Sequence, residues 1–123
     1  MEGISTINYQ GKKIYIINFS EFGDSKEDTV RLINAVGDEI ITNPLNSVLA
    51  LFDLSNSFFH FDTLKTFKQL EERCGQYEKK VAVIGLKGLQ KTGFNTIAGT
   101  KKSGSIKAFN SELEAKEWLV SDN

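Results

Sequence analysis

Short runs of β-branched and aromatic residues alternate along this chain with longer segments of helical periodicity. The first two runs, Ile4 to Tyr9 and Lys12 to Phe19, are separated by Gln10-Gly11, which predicts an antiparallel hairpin. Two later runs, Ser47 to Asp53 and Lys80 to Gly85, are too short for helices and apolar at successive positions. That pattern is typical of strands buried on both faces, so Asp53 should lie at the carboxyl end of a central strand.

Apolar side chains at steps of three and four predict four helices between and after these strands. Ser25 is the N-cap candidate of the first helix, which should end before Pro44, and Asp62 is the N-cap candidate of the second. A weaker helix follows the fourth strand, and a capping box of Ser111 and Glu114 begins the last. The stripes expected to be buried are Val30, Ile33, Gly37, Ile40 and Ile41; Leu64, Phe67, Leu70, Cys74 and Tyr77; Leu89, Gly93, Phe94 and Ile97; and Ala115, Trp118 and Leu119.

With a fifth strand at Ser105 to Phe109, the order ββαβαβαβα predicts one α/β domain over residues 1–123. Alternating strands and helices give parallel pairing through right-handed crossovers, so the sheet should be mixed and mostly parallel, with an N-terminal antiparallel hairpin. If the strands lie in chain order, the helices lie predominantly on one face. The second face is then a candidate ligand pocket or dimer surface, unless loops and long side chains cover it.

Composition and charge describe an ordinary globular domain of 123 residues, 40% hydrophobic and 25% charged, with a net charge of −1. The longest apolar run, Val48 to Phe52, is far shorter than the roughly 20 residues that span a bilayer. No secretory signal begins the chain, so we expect a cytoplasmic protein. A single histidine, His60, and a single cysteine, Cys74, occur without a nucleophile motif. We therefore expect no metal, no cofactor and no enzymatic activity.

The segment after the third strand carries the first group of candidate binding residues. Asp53 and Ser55 end that strand, at the place where ligands of open α/β sheets commonly bind. The loop that follows either lines an apolar pocket or anchors the next helix in the core. Its aromatic cluster consists of Phe58, Phe59, His60 and Phe61.

The segment after the fourth strand carries the second group. Gly85 to Thr92 is similar to a phosphate-binding loop, but Gln90 stands where that loop needs its second glycine, so we do not expect nucleotide hydrolysis. Lys87 and Lys91 begin a stretch to residue 107 that contains no acidic residue. These lysines form a solvated face or attract a phosphate, a lipid headgroup or an acidic partner. Both segments should meet at one rim of the sheet.

Several stretches of the sequence resemble the STAS family, the sulphate-transporter and anti-sigma-factor-antagonist domains. Besides the order of elements, the likeness rests on Val48 to Ser55 and on Phe61 to Leu64. Val81 to Leu89, Ile106 to Ser111 and Glu114 to Leu119 are similar to the stand-alone bacterial, SpoIIAA-like branch. The resemblance implies a SpoIIAA-like fold and a non-enzymatic regulator that acts through a protein partner or as a homodimer, without nucleic acid.

In the anti-sigma antagonists of this family, a partner kinase phosphorylates a serine that follows an aspartate at the start of the second helix. Asp62-Thr63 occupies the comparable place, so the resemblance implies that Thr63 is a phosphorylation site. The alternative is that both residues are plain helix caps. A phosphate would add about two negative charges at a helix N-terminus, which favours them.

The same fold also resembles the lipid-carrying domains of the Sec14 type, in which an apolar cavity beside the sheet holds a phospholipid. The sequence therefore leaves a second binding function open, the carriage of a lipid or small apolar ligand. The residues that would line such a pocket and its headgroup end are Phe58, Phe59, Phe61 and Phe94, with Lys87 and Lys91.

Overall fold

The computed structural model describes residues 3–20, 25–55, 61–85 and 105–121. The strands in these residues are β1 (Ile4–Tyr9), β2 (Lys12–Asn18), β3 (Val48–Asp53), β4 (Glu78–Ile84) and β5 (Ser105–Phe109). The helices are α1 (Lys26–Ile40), α2 (Phe61–Cys74) and α3 (Glu112–Val120). The weaker helix predicted around Leu89 to Ile97 lies outside the described residues.

The five strands form one sheet in chain order, from β1 at one edge to β5 at the other. β1 and β2 are antiparallel and joined by a tight turn, in which Gln10 and Gly11 both have positive φ angles, 51° and 81°. Such angles suit the two-residue turns that match the twist of a hairpin. All other neighbours pair in parallel. The predicted mixed, mostly parallel α/β sheet with an N-terminal hairpin is confirmed.

One face of the sheet packs against α1 and α2. Val48, Ala50 and Phe52 of β3 point to this face and are buried there. Phe52 lies at its centre, with its ring centroid 6.1 Å from that of Phe19 and 5.3 Å from that of Phe67 in α2. Aromatic contacts of this kind add to the burial that holds a helix on a sheet. The apolar side chains on this face of β3 therefore hold α2 against the sheet.

The other face packs against α3. Leu49 and Leu51 point to it and cluster with Ala115 and Leu119 of that helix. Helices α1 and α2 therefore lie on one face of the sheet, as expected, whereas α3 lies on the second face. Over β3 and β4 this face was a candidate pocket or dimer surface, and the structure shows that a helix of the chain itself covers it.

Two of the predicted N-caps are confirmed and one is wrong. The Ser25 hydroxyl accepts a hydrogen bond from the backbone N–H of Asp28 at 3.3 Å, and Ser111 caps α3 in the same way. α2 begins at Phe61, so Asp62 and Thr63 lie in its first turn, and neither is the N-cap. The same positive helix end favours an acidic residue at the cap and in the first turn, so the residue type alone did not distinguish the two positions.

The predicted apolar stripe of α1 is buried at Ile33, Gly37 and Ile40 but only partly buried at Val30. The stripe of α2 is buried at Phe67, Leu70 and Cys74, and the side chain of Leu64 lies outside the described residues. Both stripes fail at their last position. Ile41 follows the last residue of α1 and is 37% exposed, because Asn43 donates its amide to the carbonyls of Glu39 and Ile40 and ends the helix there. Tyr77 lies beyond α2 and is only partly buried. Within the described part of the chain, no helix is both long and apolar enough to cross a membrane.

The amino end of the sheet, where the parallel strands begin, is closed by the last turn of α3. Lys80, at the start of β4, is only 3% exposed. Its Nζ donates to the carbonyl oxygens of Trp118 and Ser121 and to the Ser121 hydroxyl, each at 2.8 Å. Lys12 Nζ donates to the Val120 carbonyl at 3.0 Å. Two ammonium groups thus satisfy carbonyls that a helix C-terminus leaves unpaired.

Candidate functional site

The carboxyl end of the sheet, where the parallel strands finish, is built around two matching turns. Asn18 ends β2 and Asp53 ends β3, and the two residues are paired in the sheet register. Asn18 Oδ1 accepts hydrogen bonds from the N–H of Ser20 at 2.8 Å and from its hydroxyl at 2.5 Å. Asp53 Oδ1 accepts a hydrogen bond from the N–H of Ser55 at 2.9 Å. Each strand therefore ends in a turn that its own side chain stabilises.

The middle residue of each turn, Phe19 or Leu54, adds one further backbone hydrogen bond to the neighbouring strand. The N–H of Phe19 donates to the carbonyl of Asp53 at 2.9 Å, and the N–H of Leu54 donates to the carbonyl of Ile84 at 2.9 Å. Both side chains are buried. The apolar residue is thus held in the core while the side chain before it redirects the chain, which fixes the direction in which the chain leaves β2 and β3.

Gly85 brings the ends of β3 and β4 into contact. It follows β4 with a φ of +86°, a conformation that side chains rarely adopt. A Cβ placed on it would lie 2.3 Å from the backbone nitrogen of Ser55. Only glycine fits this position without moving the backbone. The two segments predicted to carry the binding residues, 56–60 and 86–104, therefore begin from adjoining residues.

The structure brings some of the predicted site residues together at this end. Asp53 and Ser55 form one of the two turns, and α2, which follows β3, carries Phe61, Asp62 and Thr63 in its first turn. Because Ser55 contacts Gly85, the segments that follow both strands start at the same end of the sheet, as the prediction of a common rim requires. The predicted residues that lie outside the described ones are Phe58, Phe59, His60, Lys87 and Lys91.

Two residues of the carboxyl end were absent from the sequence-based site, Asn18 and Ser20. The signal that reveals them is a repeated pattern. Asn18-Phe19-Ser20 and Asp53-Leu54-Ser55 both place an Asn or Asp, an apolar residue and a serine at the end of an apolar run. An Asn or Asp at such a point favours a turn closed two residues further on.

Polar chemistry at the carboxyl end is directed at the backbone. Oδ1 of Asn18 and Oδ1 of Asp53 both stabilise turns. Among the described residues, no group of three or more His, Cys, Asp or Glu side chains is arranged to hold a metal ion. The arrangement fixes a backbone surface, and its side chains stabilise that surface.

Exposed leucines lie at both ends of the sheet. Leu113, in the first turn of α3, follows the carboxyl end of β5 and is 62% exposed. Leu45, in the connection from α1 to β3, lies at the amino end and is 63% exposed. The two side chains are matched in type and exposure, so they allow the two ends to be compared directly.

A groove of about 300 Å³ lies between β1, β2 and α1. Hydroxyl groups and a carboxylate contribute to its lining. Phe58, Phe59 and Phe94 of the predicted lipid pocket lie outside the described residues, as does the side chain of Phe61, so that pocket stays a prediction. The residues that line the groove are Ile4, Ser5, Thr6, Tyr15, Ala35 and Glu39.

No family model matches the chain, and no curated protein matches it. Among solved structures, it is similar to an uncharacterized protein of the DUF3478 family with a SpoIIAA-like fold, from Shewanella loihica PV-4. The TM-score is 0.67 at 18% sequence identity, and the match covers 94% of this chain and 91% of the other. The chain therefore has a SpoIIAA-like fold, which confirms the STAS resemblance at the level of the fold.

Proposed function

We propose that this SpoIIAA-like domain is a non-enzymatic, cytoplasmic regulator that binds a protein partner through the carboxyl end of its sheet. The observation that carries the proposal is the contact between Ser55 and Gly85, which starts both candidate binding segments from one fixed point. A fixed base allows two loops to form one surface, since rigid elements position loop residues for recognition.

The hydrogen bonds at this end favour binding over catalysis. A catalytic acid or base needs an oxygen directed at a substrate, whereas Asn18 Oδ1 and Asp53 Oδ1 accept hydrogen bonds within their own turns. A partner surface needs a different combination, an exposed apolar residue beside polar groups. Leu113 supplies an exposed apolar residue at the same end of the sheet as the two turns, whose polar groups supply the second element.

The regulatory part of the proposal concerns Thr63, which lies in the first turn of α2. The N-terminus of a helix carries a partial positive charge, so a phosphate on Thr63 would be stabilised there. The same phosphate would add about two negative charges to the partner surface and oppose an acidic or apolar partner. This switch rests on the family resemblance and on the position of Thr63.

The test is photo-crosslinking from the two matched leucines in the cells that express the protein. A photoreactive amino acid replaces Leu113 at the carboxyl end or Leu45 at the amino end, and crosslinked partners are identified by mass spectrometry. We expect a protein crosslinked from position 113 but not from position 45. With the purified partner, Leu113→Asp should weaken binding about tenfold or more, and Leu45→Asp should leave it unchanged.

The phosphorylation arm uses the same reconstituted pair. Thr63→Glu should weaken binding and Thr63→Val should not, and mass spectrometry of the native protein should find phosphate on Thr63. Equal crosslinking from both leucines, or crosslinking from position 45 alone, would overturn the proposed surface. Native Thr63 without phosphate under all growth conditions tested would overturn the switch and leave the binding surface standing.

The lipid-carrier alternative predicts a different result from one further measurement. Native mass spectrometry of the purified chain should show the protein mass alone if the function is protein binding. A lipid adduct present at one molecule per chain would favour the carrier instead. We rank the carrier second because hydroxyl groups and a carboxylate contribute to the lining of the groove that described residues form at β1, and such groups suit an apolar ligand poorly.

A further inference from the structure

β1 is an edge strand whose outer hydrogen-bonding groups face away from the sheet. Tyr9 and Lys12 flank the two-residue turn, so they form a hydrogen-bonded pair with β2. Bonding alternates along an antiparallel pair, which leaves every second residue of β1 with its N–H and C=O directed outward. These residues are Ile4, Thr6 and Asn8. No described strand pairs with that side of β1.

The sequence of β1 lacks the features that normally keep an edge strand from pairing. Natural edges are protected by lysine, proline, bulges or a covering segment. The six residues of Ile4–Tyr9 contain no charge, no proline and no glycine, and they pair with β2 in unbroken register. Ser5, Thr6 and Asn8 are exposed, so the edge is accessible along most of its length.

Helix α1 runs alongside this edge and presents two opposite charges on one side. Ala35 and Glu39 line the groove of about 300 Å³ beside Ile4 and Thr6. Arg31 lies one turn before Ala35, on the same side of the helix. Its side chain is 67% exposed, and its described ion pair is with Asp28 at 3.3 Å. Glu27 lies one further turn towards the N-terminus on this side. From Arg31 onward, the helix therefore carries a positive, a small and a negative side chain along the groove.

We propose that β1 pairs with β1 of a second copy of this chain, antiparallel, about a two-fold axis at Thr6. In this register Thr6 lies opposite Thr6 of the second copy, and Ile4 lies opposite Asn8. All three outward-facing residues then find hydrogen-bonding partners, and the two sheets become one sheet of ten strands. The surface is separate from the carboxyl end and does not depend on the function proposed for it.

Charge complementarity on α1 selects a second copy as the occupant of this edge. The two-fold axis reverses the direction of the second α1, so the Arg31 end of one helix faces the Glu39 end of the other. A helix that carries both charges on one side complements itself in this arrangement. An unrelated extended peptide would use the backbone groups of β1 but would have no built-in match to Arg31 and Glu39.

The first test measures the mass of the full chain in solution by sedimentation equilibrium, at concentrations up to about 1 mM, where even millimolar affinities are detected. We expect a monomer–dimer equilibrium. Thr6→Lys places like charges opposite each other at the axis and should raise the dissociation constant about tenfold or more. Gln69→Lys adds the same charge on an exposed position of α2 and should leave the constant unchanged.

The second test is a charge exchange between the two copies. Arg31→Glu and Glu39→Arg should each weaken the dimer several-fold, and the double variant should restore it, because the opposite charges face each other again. Circular dichroism confirms that each variant is folded. A chain that is monomeric at all concentrations, a dimer equally sensitive to Thr6→Lys and Gln69→Lys, or a double variant weaker than both single variants would overturn the proposal. Binding of an unrelated peptide along β1 by a strictly monomeric chain would also overturn it.

Discussion

The two ends of the sheet satisfy their backbone groups in different ways. At the amino end, the long side chain of Lys80 reaches across to another element and holds three acceptors in the last turn of α3. At the carboxyl end, the side chains of Asn18 and Asp53 accept described hydrogen bonds from the residue two positions further along their own chain. The amino end is stabilised by a contact between two elements, β4 and α3. At the carboxyl end, each turn is stabilised by a side chain of the strand that it follows.

This difference bears on where variation and function can be placed. The described side-chain hydrogen bonds of the two turns lie within residues 18–20 and 53–55, so we expect that the segments that follow can differ in sequence without loosening β2 or β3. The amino end has no such independence, because a change in α3 removes acceptors from Lys80. We therefore expect recognition at the carboxyl end and stability at the amino end.

The largest effect should come from the close contact between the residues that follow β3 and β4. Gly85→Ala puts a Cβ 2.3 Å from the Ser55 nitrogen, at a φ that disfavours side chains. We expect a loss of about 3 to 5 kcal/mol in the free energy of unfolding, because backbone must move. Urea denaturation measures the loss. This expected loss limits the comparison at one position, because Gly85 packs against the turn that follows β3 while the side-chain hydrogen bonds of that turn remain local.

Gly37→Ala is the matched control for that substitution. A Cβ on Gly37 would lie 2.6 Å from Arg73 Nη1, which is the far end of a flexible side chain, and 3.1 Å from a methyl of Leu70. Arg73 can move, and alanine gains about 1 kcal/mol in helix propensity over glycine. We expect a change within about 1 kcal/mol of zero. A loss as large as that of Gly85→Ala would show that close packing alone explains both.

At the amino end, Lys80→Met should cost about 2 to 3 kcal/mol of unfolding free energy. Methionine keeps most of the length of the side chain but donates no hydrogen bond to Trp118 or Ser121. The carbonyls of Trp118 and Ser121 then lose their cation, while Lys12 still donates to the carbonyl of Val120. Thermal and urea denaturation measure the cost, and amide exchange in α3 should rise before that in β3.

The neighbouring Lys79 supplies the control, because it is exposed on the same strand. Lys79→Met should change stability by less than about 0.5 kcal/mol. If both lysine variants cost the same, the contact with α3 is not what closes the amino end, and the contrast between the ends loses its basis.

Local signals predicted most of the elements correctly. Successive side chains of a strand point to opposite faces, so the apolar run of β3 predicts that Phe52 and Leu51 lie on opposite faces of the sheet. The N-caps Ser25 and Ser111 are predicted from residues a few positions apart. These features depend on chain neighbours alone, so one sequence contains them.

Long-range features were missed or misread for the converse reason. The local pattern indicates that Gly85 is the first glycine of an incomplete phosphate loop. In the structure, the backbone of Ser55, thirty positions earlier in the chain, leaves no room for a Cβ at Gly85. The sequence indicates only that Lys80 begins a strand. Lys80 is buried because α3 packs on the second face of the sheet and contacts its side chain. The sequence contains no local mark of either contact.

The smallest expected effect sharpens the comparison from the carboxyl side. Asp53→Ala removes the acceptor of the Ser55 N–H and should cost about 1 kcal/mol, whereas Asp53→Asn keeps an oxygen in place and should cost less than half of that. Urea denaturation gives the totals, and amide exchange at Ser55 should increase for the alanine variant alone. Because the turn is closed locally, neither variant should alter exchange in β4. Faster exchange throughout β4 would mean that Asp53 supports the sheet beyond its own turn, and that the carboxyl end is less modular than its hydrogen bonds indicate.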